Sequence, residues 1–304
     1  MENKLEKIIA IVGTNASGKS SLSLKLAQTF GGEIISADSR QLYKGFDLCS
    51  GKVTAEEKKI VPHYMIDSVD ISEDYSLAKY QAKTYDYIYQ IIEKDKTPFL
   101  VGGTGLYLKA IIDGYHLIDV APNPEFRKEL ENMDREALVD VLAGYDKEVL
   151  TKIDTNNKIR IIRAIEVYKN GYSFDDMRKA EPKFEALQIG ITWEREVLYQ
   201  RIDERLRRRL DQGMVEEVAS AIDEGVSKDK LDKLGLEYRY VLKYLDGEIT
   251  SLEELYEKLR FAIHRYARRQ LTWFRKEKSV HWLDTSGNYV EEAEDLIKKF
   301  LEKK

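Results

Sequence analysis

The sequence predicts an α/β protein, with a P-loop three-layer parallel sheet core and a helical insertion domain. Three observations predict it. Short β-branched runs alternate with helical patterns, as strands joined by crossover helices do. A G-x-x-x-x-G-K-S stretch follows the first of those runs and opens the first helix. Between residues 118 and 185 the strand signals stop, and the chain becomes charged and helical.

Taken in order, KIIAIV (7–12) is the first strand, and the helix after it stacks Leu22, Leu26 and Phe30 at i+4 spacing. Gly31-Gly32 stops that helix, because glycine takes the left-handed cap position without steric cost. EIIS (33–36) and FLVG (99–102) are the next strands. YHLIDVAPNPEF then carries two prolines and no clear period, which reads as a hinge. The core is expected at 1–117 and 186–304, with the insertion at 118–185. ALQIGITW (186–193) and SVHWLD (279–284) return the chain to the sheet. Two long helices close it. One carries an unbroken i+4 row of Leu198, Ile202, Leu206, Leu210, Met214, Val218 and Ile222, and the other runs from Ser251 to Lys276.

With 304 residues and 43% hydrophobic composition, the chain can bury a large core. Its net charge of -5 argues against nucleic-acid binding on average, so any basic surface must be local. The single cysteine, Cys49, excludes an internal disulfide and suits a reducing compartment, where it reads as a small buried hydrophobe. MENKLEKIIAIV is charged and then only briefly apolar, a first strand rather than a signal peptide. No run of about 18 apolar residues occurs, so no membrane span is expected. These features predict a soluble, cytoplasmic protein with no membrane partner; a monomer is expected, although nothing in the sequence fixes the oligomeric state.

Gly13-Thr14-Asn15-Ala16-Ser17-Gly18-Lys19-Ser20 is the candidate phosphate cradle. Glycines let backbone N–H groups converge, the helix N-terminus adds positive potential, Lys19 reaches phosphate oxygens, and Ser20 is a ligand for Mg²⁺. ATP hydrolysis normally uses a second acid at a strand end. FLVGGTG ends without one, and ALQIGITWE offers Glu194 only after Trp193. EIISADS alone delivers an aspartate, Asp38, to the edge where doubly wound sheets bind ligands. The loop therefore points to a di- or triphosphate and only weakly to ATPase chemistry.

Asp38-Ser39-Arg40-Gln41-Leu42-Tyr43 and Gly102-Gly103-Thr104-Gly105-Leu106-Tyr107 follow the second and third strands. Asp38 can take a proton from a nucleophile or hold Mg²⁺ through water, although helix capping would also account for it. The Gln41 amide matches the edge of an adenine. Thr104, between glycines, has a hydroxyl free for a substrate atom, or it forms the turn. In Arg205-Leu206-Arg207-Arg208-Arg209, Leu206 faces the core and Arg205 is the candidate for a pyrophosphate oxygen; the alternative is an ion pair with Asp203 or Glu204.

From Lys258 to Lys278 there are eight Lys/Arg against one acid, Glu277. Solvated charge runs usually mix signs, so Arg268, Arg269 and Arg275 are read as RNA contacts, with Trp273 and Phe274 placed as core residues or base platforms. Arg160, Arg163, Lys158 and Lys169 form a second basic group, and Arg127 stands just past the hinge. His63 reads as a hydrogen-bonded structural histidine.

The ordered motifs of the phosphate loop, DSRQLY, PHYMID with YSLAKYQ, GGTGLY, RIIRAIEV and YARRQLTWFR are those of one family. Over residues 7–284 the chain resembles the tRNA dimethylallyltransferases, also called tRNA isopentenyltransferases. Thr14-Asn15 in place of the usual Pro-Thr and LGLEYRYV (234–241) in place of an Ile-Gly-Tyr pattern depart from the family. The resemblance implies a donor, dimethylallyl diphosphate, and transfer of its prenyl group to N6 of the adenosine at position 37 in tRNAs reading codons that begin with U. It implies Asp38 and Thr104 as catalytic residues, a tRNA anticodon stem-loop as partner, and Asp38, Ser39, Arg40, Gln41, Thr104, Arg127, Arg160 and Arg163 near the RNA. Three other readings share some of these residues: a P-loop small-molecule kinase, an adenylate isopentenyltransferase acting on free nucleotides, and a nucleotide-gated RNA-binding protein.

Overall fold

In a computed structural model, residues 5–118, 120 and 123–303 are described. Six strands form one sheet: β1 (Glu6–Gly13), β2 (Gly32–Ser36), β3 (His63–Tyr64), β4 (Thr97–Gly102), β5 (Phe184–Ile191) and β6 (Val280–Trp282). Their order is β3-β2-β4-β1-β5-β6, and every pairing is parallel. The central strand buries Ile8 through Val12 without a break, as a strand covered on both faces must. On one face Ile9, Ile11, Ile34 and Phe99 pack on Leu22 and Leu26 of the Lys19–Thr29 helix and on Ile297 of the Tyr289–Glu302 helix. On the other, Ile8, Ala10 and Leu100 pack on Tyr80 and Ile88 of the Leu77–Glu93 helix and on Phe274.

The loop helix stops as its glycines predict, with Gly31 at φ 61°. β3 has no sequence signal because two residues cannot display a period. The expected first closing helix is two: Arg195–Asp211 and Met214–Asp223. Gly213 at φ 99° breaks the backbone between them, while Leu198, Ile202, Leu206, Leu210, Met214 and Val218 remain in one buried cluster across the break. A hydrophobic row alone cannot reveal that interruption. The second expected helix is Leu252–Phe274, 23 residues long, but it does not close the chain: the Tyr289–Glu302 helix follows β6, which the expectation of two closing helices left out.

The chain divides into two compact units. One ends at Ile112 and resumes at Lys183; the other is Asp113–Pro182. The second unit has its own core of Leu130, Leu138, Leu142, Ile161 and Ile165, contributed by the Pro124–Asn132, Arg135–Tyr145 and Lys158–Lys169 helices. It begins and ends side by side, with Tyr115 bridged to Ala180 and Glu181 N–H bonded to Gly114 O at 2.9 Å. Asp119, Ala121 and Pro122 of the proline hinge lie outside the described residues. Among the described residues no helix is long and apolar enough to cross a membrane.

Candidate active site

β4 lies between β1 and β2, with Gly102 opposite Val12 and Val101 opposite Ser36. The loops after these three strands therefore leave one edge side by side. Gly102 permits the closest approach, since a Cβ there would fall 2.1 Å from Ala37 O. Ala37 O accepts from Thr104 N–H at 3.1 Å, and Thr104 Oγ1 accepts from Ser39 N–H at 3.2 Å. The sequence leaves the Thr104 hydroxyl free; in the fold its oxygen accepts one bond, which leaves its proton and one lone pair for a substrate atom. Thr104 caps no backbone N–H of the short helix it precedes.

The phosphate loop turns through Ala16 at φ 59° and Gly18 at φ 94°. Its carbonyls are tied down: Thr14 O accepts from Lys19 Nζ at 2.6 Å, Ala16 O from Arg201 Nε at 3.0 Å, and Ser17 O from Trp193 Nε1 at 2.8 Å. No acceptor among the described residues takes the N–H groups of Gly18, Lys19 or Ser20 at the helix start. The hydroxyls of Thr14 and Ser17 are buried without partners. Together they leave donors for an anion. Asn15 differs from the expectation for the loop. Its N–H is already given to Gln270 Oε1 at 2.9 Å, and its Oδ1 accepts from Arg205 at 3.2 Å. Asn15 therefore anchors the cradle and brings Arg205 to it.

Arg205 also donates to Gly51 O at 2.8 Å, and a Cβ on Gly51 (φ 61°) would fall 2.3 Å from the guanidinium. The alternative ion pair for Arg205 does not form: Asp203 is taken by Arg260 and His264. Burial pushes Arg205 down to about 10, helped by Arg209 and opposed by Glu237 and Asp38. Burial likewise pushes Lys19 down to about 8, with Asp38 opposing and Arg205 adding to the shift. Both cations are short of counter-charge.

Lys19, Ser20, Asp38, Gln41, Arg205 and Glu237 line one cavity of about 80 Å³. It shares Lys19, Ser20, Gly51 and Arg205 with a wider groove of about 670 Å³ that adds Lys52 and Lys58. Asp38 caps no helix; its Oδ1 accepts from Arg40 N–H at 3.0 Å within its own turn. Arg40 donates from Nε to Leu234 O at 2.6 Å and lies against Gly235 (φ 142°), where any Cβ would strike the guanidinium. Gln41 spends its amide on Ser36 at 3.0 Å and Gly51 O at 3.3 Å. Arg40 and Gln41 thus build the wall around Asp38, and the Gln41 amide that the sequence matched to an adenine edge is engaged within the protein. His63 pairs Nδ1 with Val61 O at 2.7 Å, and burial lowers its pKa.

Sequence reasoning missed Glu237 and Gln270. Glu237 is 7% exposed, lines the cavity and lies 3.7 Å from Arg209. Its one signal was the unusual LGLEYRYV stretch. Gln270 was hidden within a motif read for its charges.

The basic helix is less one-sided than its sequence. Lys258 pairs with Glu254 at 2.7 Å, and Arg260 pairs with Glu257 at 2.8 Å and Asp203 at 3.3 Å. Those acids come from the preceding turn, from within the helix and from a neighbouring helix. His264 gives its Nε2 contact to Asp203 at 2.7 Å and stacks on Tyr199, so it is buried rather than presented on the surface. Arg265, Arg268, Arg269 and Arg275 have no carboxylate within ion-pair distance among the described residues. Phe274 is core, 2% exposed, and Trp273 packs against Gly105. In the second unit Arg127 holds Glu166 through two bonds of 3.0 and 2.8 Å. Arg163 bonds Val120 O at 3.1 Å, and Arg160 is 3.8 Å from Asp154 with an exposed side chain. Among the described residues no three His, Cys, Asp or Glu side chains gather as a metal site.

A family model described as IPP transferase matches residues 41–277. The chain belongs to the IPP transferase family. It is 42% identical over 294 residues to "tRNA dimethylallyltransferase 2" of Shewanella sediminis, covering 95% of this chain and 97% of that protein. It is 39% identical to the tRNA dimethylallyltransferase of Thermomicrobium roseum, covering 98% and 93%. Among solved structures, the tRNA isopentenylpyrophosphate transferase of Bacillus halodurans aligns with TM-score 0.73 at 38% identity, covering 98% of this chain and 97% of that one. A eukaryotic dimethylallyltransferase acting on tRNA aligns with TM-score 0.84 at 26% identity, covering 97% and 79%.

Proposed function

We propose that this IPP transferase moves the dimethylallyl group of dimethylallyl diphosphate to N6 of the adenosine at position 37 in tRNAs reading codons that begin with U, releasing diphosphate. One observation carries the reading: a single cavity is lined by the undercompensated cations Lys19 and Arg205 and by the Asp38 carboxylate. The first pair suits a diphosphate. The carboxylate suits an N–H that must lose its proton.

In this reading the bond from the allylic carbon to the diphosphate oxygen breaks as N6 bonds to that carbon, and the N6 proton passes to Asp38. Charge growing on the leaving oxygen is met by Lys19, Arg205 and the free N–H groups of Gly18, Lys19 and Ser20, donors already in place before reaction. Asp38 orients the amine and accepts its proton. The Thr104 hydroxyl, held by Ser39 beside it, has its proton to give to the same base. Ser20 and, through water, Asp38 offer the hard oxygen donors that suit Mg²⁺ shared with a diphosphate. When bound there, Mg²⁺ neutralises charge on the leaving group. The target base must leave its stack to reach this cavity, as in other enzymes that act on a base. Arg268, Arg269 and Arg275 on the basic helix, and the exposed Arg160 in the insertion, are assigned to RNA phosphates; Arg127 and Arg163 shape the insertion around Glu166.

The test is nucleoside mass spectrometry after incubating the protein with Mg²⁺, dimethylallyl diphosphate and an anticodon stem-loop carrying adenosine 37. The expected result is one isopentenyl group on that adenosine. Modification of free AMP but not of the stem-loop, or consumption of ATP with a small alcohol and no prenylation, would overturn it.

A further inference from the structure

We infer that Gln270 is a positioning residue that sets the separation between donor and acceptor, an assignment that rests on the transfer reading above. Gln270 sits on the Leu252–Phe274 helix, only 9% exposed. Its Oε1 accepts from Asn15 N–H at 2.9 Å, and its Nε2 donates to Gly103 O at 3.0 Å. One planar amide therefore bridges the phosphate loop after β1 and the Thr104 loop after β4. The two ends are not interchangeable. A backbone N–H requires the oxygen and a backbone carbonyl requires the nitrogen, which fixes the orientation of the amide.

The bridge continues to the reacting groups. On the donor side, Asn15 also fixes Arg205. On the acceptor side, Thr104 follows Gly103 directly and holds Ser39, the neighbour of Asp38. The helix presses on the same loop at two further points. A Cβ on Gly103 would fall 2.7 Å from Gln270 Nε2, and one on Gly105 would fall 2.5 Å from the Trp273 ring. Packing alone needs neither an acceptor at one end of this side chain nor a donor at the other. Alkyl transfer does need the two loops at a fixed distance, because the attacking nitrogen and the allylic carbon react only in near-contact geometry.

The experiment compares native protein with Gln270→Leu, Gln270→Glu and Gly103→Ala. For Gln270→Leu we expect kcat to fall about 10- to 100-fold while directly measured affinities for donor and stem-loop stay within about threefold. Gly103→Ala, which pushes on the bridge without removing it, should lower kcat in the same way and to a smaller degree. For Gln270→Glu the carboxylate still accepts from Asn15 but has no proton for Gly103 O. Its kcat relative to native should therefore rise as pH falls and the carboxyl is protonated, a recovery that loss of packing would not show. Amide exchange at Asn15 should quicken in Gln270→Leu whether or not transfer is observed. Native-like kcat in Gln270→Leu, a loss found only in RNA affinity, a pH-independent ratio for Gln270→Glu, or unchanged Asn15 exchange would each overturn the assignment. Failure of the native protein to prenylate the stem-loop would instead reject the transfer reading, leaving Asn15 exchange to judge the bridge.

Discussion

Arg205 and Arg207 stand two residues apart on one helix and meet opposite fates. Arg207 lies half-exposed, paired with Glu253 at 2.9 Å and stacked on Tyr256. Arg205 lines the cavity, partly buried and desolvated enough to lower its pKa, with the neutral oxygens of Asn15 and Gly51 as its hydrogen-bond partners. The same contrast separates Lys19 from Arg268, Arg269 and Arg275. Cations held in low dielectric and left short of counter-charge bind a small, highly charged ligand strongly. Exposed cations act collectively on a long polyanion and are screened by salt. Formal charge does not distinguish these groups; burial does.

Four outcomes would break or sharpen this comparison. The largest effect belongs to the acid of the cavity, Asp38. Asp38→Asn should lose roughly 10²- to 10⁴-fold in kcat, the usual worth of a positioned general base, with donor still binding by calorimetry. Next, Arg205→Ala should cost about 10²- to 10³-fold in kcat/KM for the donor, as loss of a preorganised donor does. Arg207→Ala, by contrast, should leave kcat/KM nearly unchanged and stability within about 1 kcal/mol, as an exposed pair implies. Equal losses at 205 and 207 would destroy the distinction.

The third outcome concerns pH. Lys19 holds its proton in the native protein only to about 8, against 10.5 when unfolded. Donor affinity should therefore fall as pH rises through about 8. Over the same window the unfolded chain binds more protons than the native one, so stability should gain from this lysine as pH rises towards 10.5. A titration of Kd alongside denaturant unfolding reads both slopes, and parallel slopes would refute the burial argument. Arg268→Ala should show the smallest effect. RNA affinity should drop a few-fold and the slope of log K against log salt should shrink by about 0.7 to 0.9. At saturating RNA, kcat should not change.

What the sequence displayed and what it hid divide along physical lines. β1, the phosphate loop and Asp38 were legible because a buried parallel strand, a glycine-rich turn and an acid at the strand end are local patterns. The edge strand β3 and the break at Gly213 were not, since two residues show no period and a hydrophobic row runs on through a turn. Site residues followed the same rule. Lys19 and Arg205 were found from charge and spacing. The engagement of Gln41, Arg40 and Arg127 by Gly51, Leu234 and Glu166 was invisible, because those partners are set by tertiary contact. Charge counts likewise overstated the basic helix: Asp203, far away in sequence, takes Arg260 and His264. Gln270 escaped notice because a neutral amide carries no signal until both its partners are seen.

The most direct test of the central claim, that one cavity joins diphosphate departure to deprotonation by Asp38, is single-turnover release of pyrophosphate. Native protein and Asp38→Asn would each be mixed with saturating dimethylallyl diphosphate, Mg²⁺ and the anticodon stem-loop. The account predicts stoichiometric pyrophosphate and prenylated adenosine from the native protein, and from Asp38→Asn bound donor with almost no release. Pyrophosphate leaving Asp38→Asn at the native rate would contradict it.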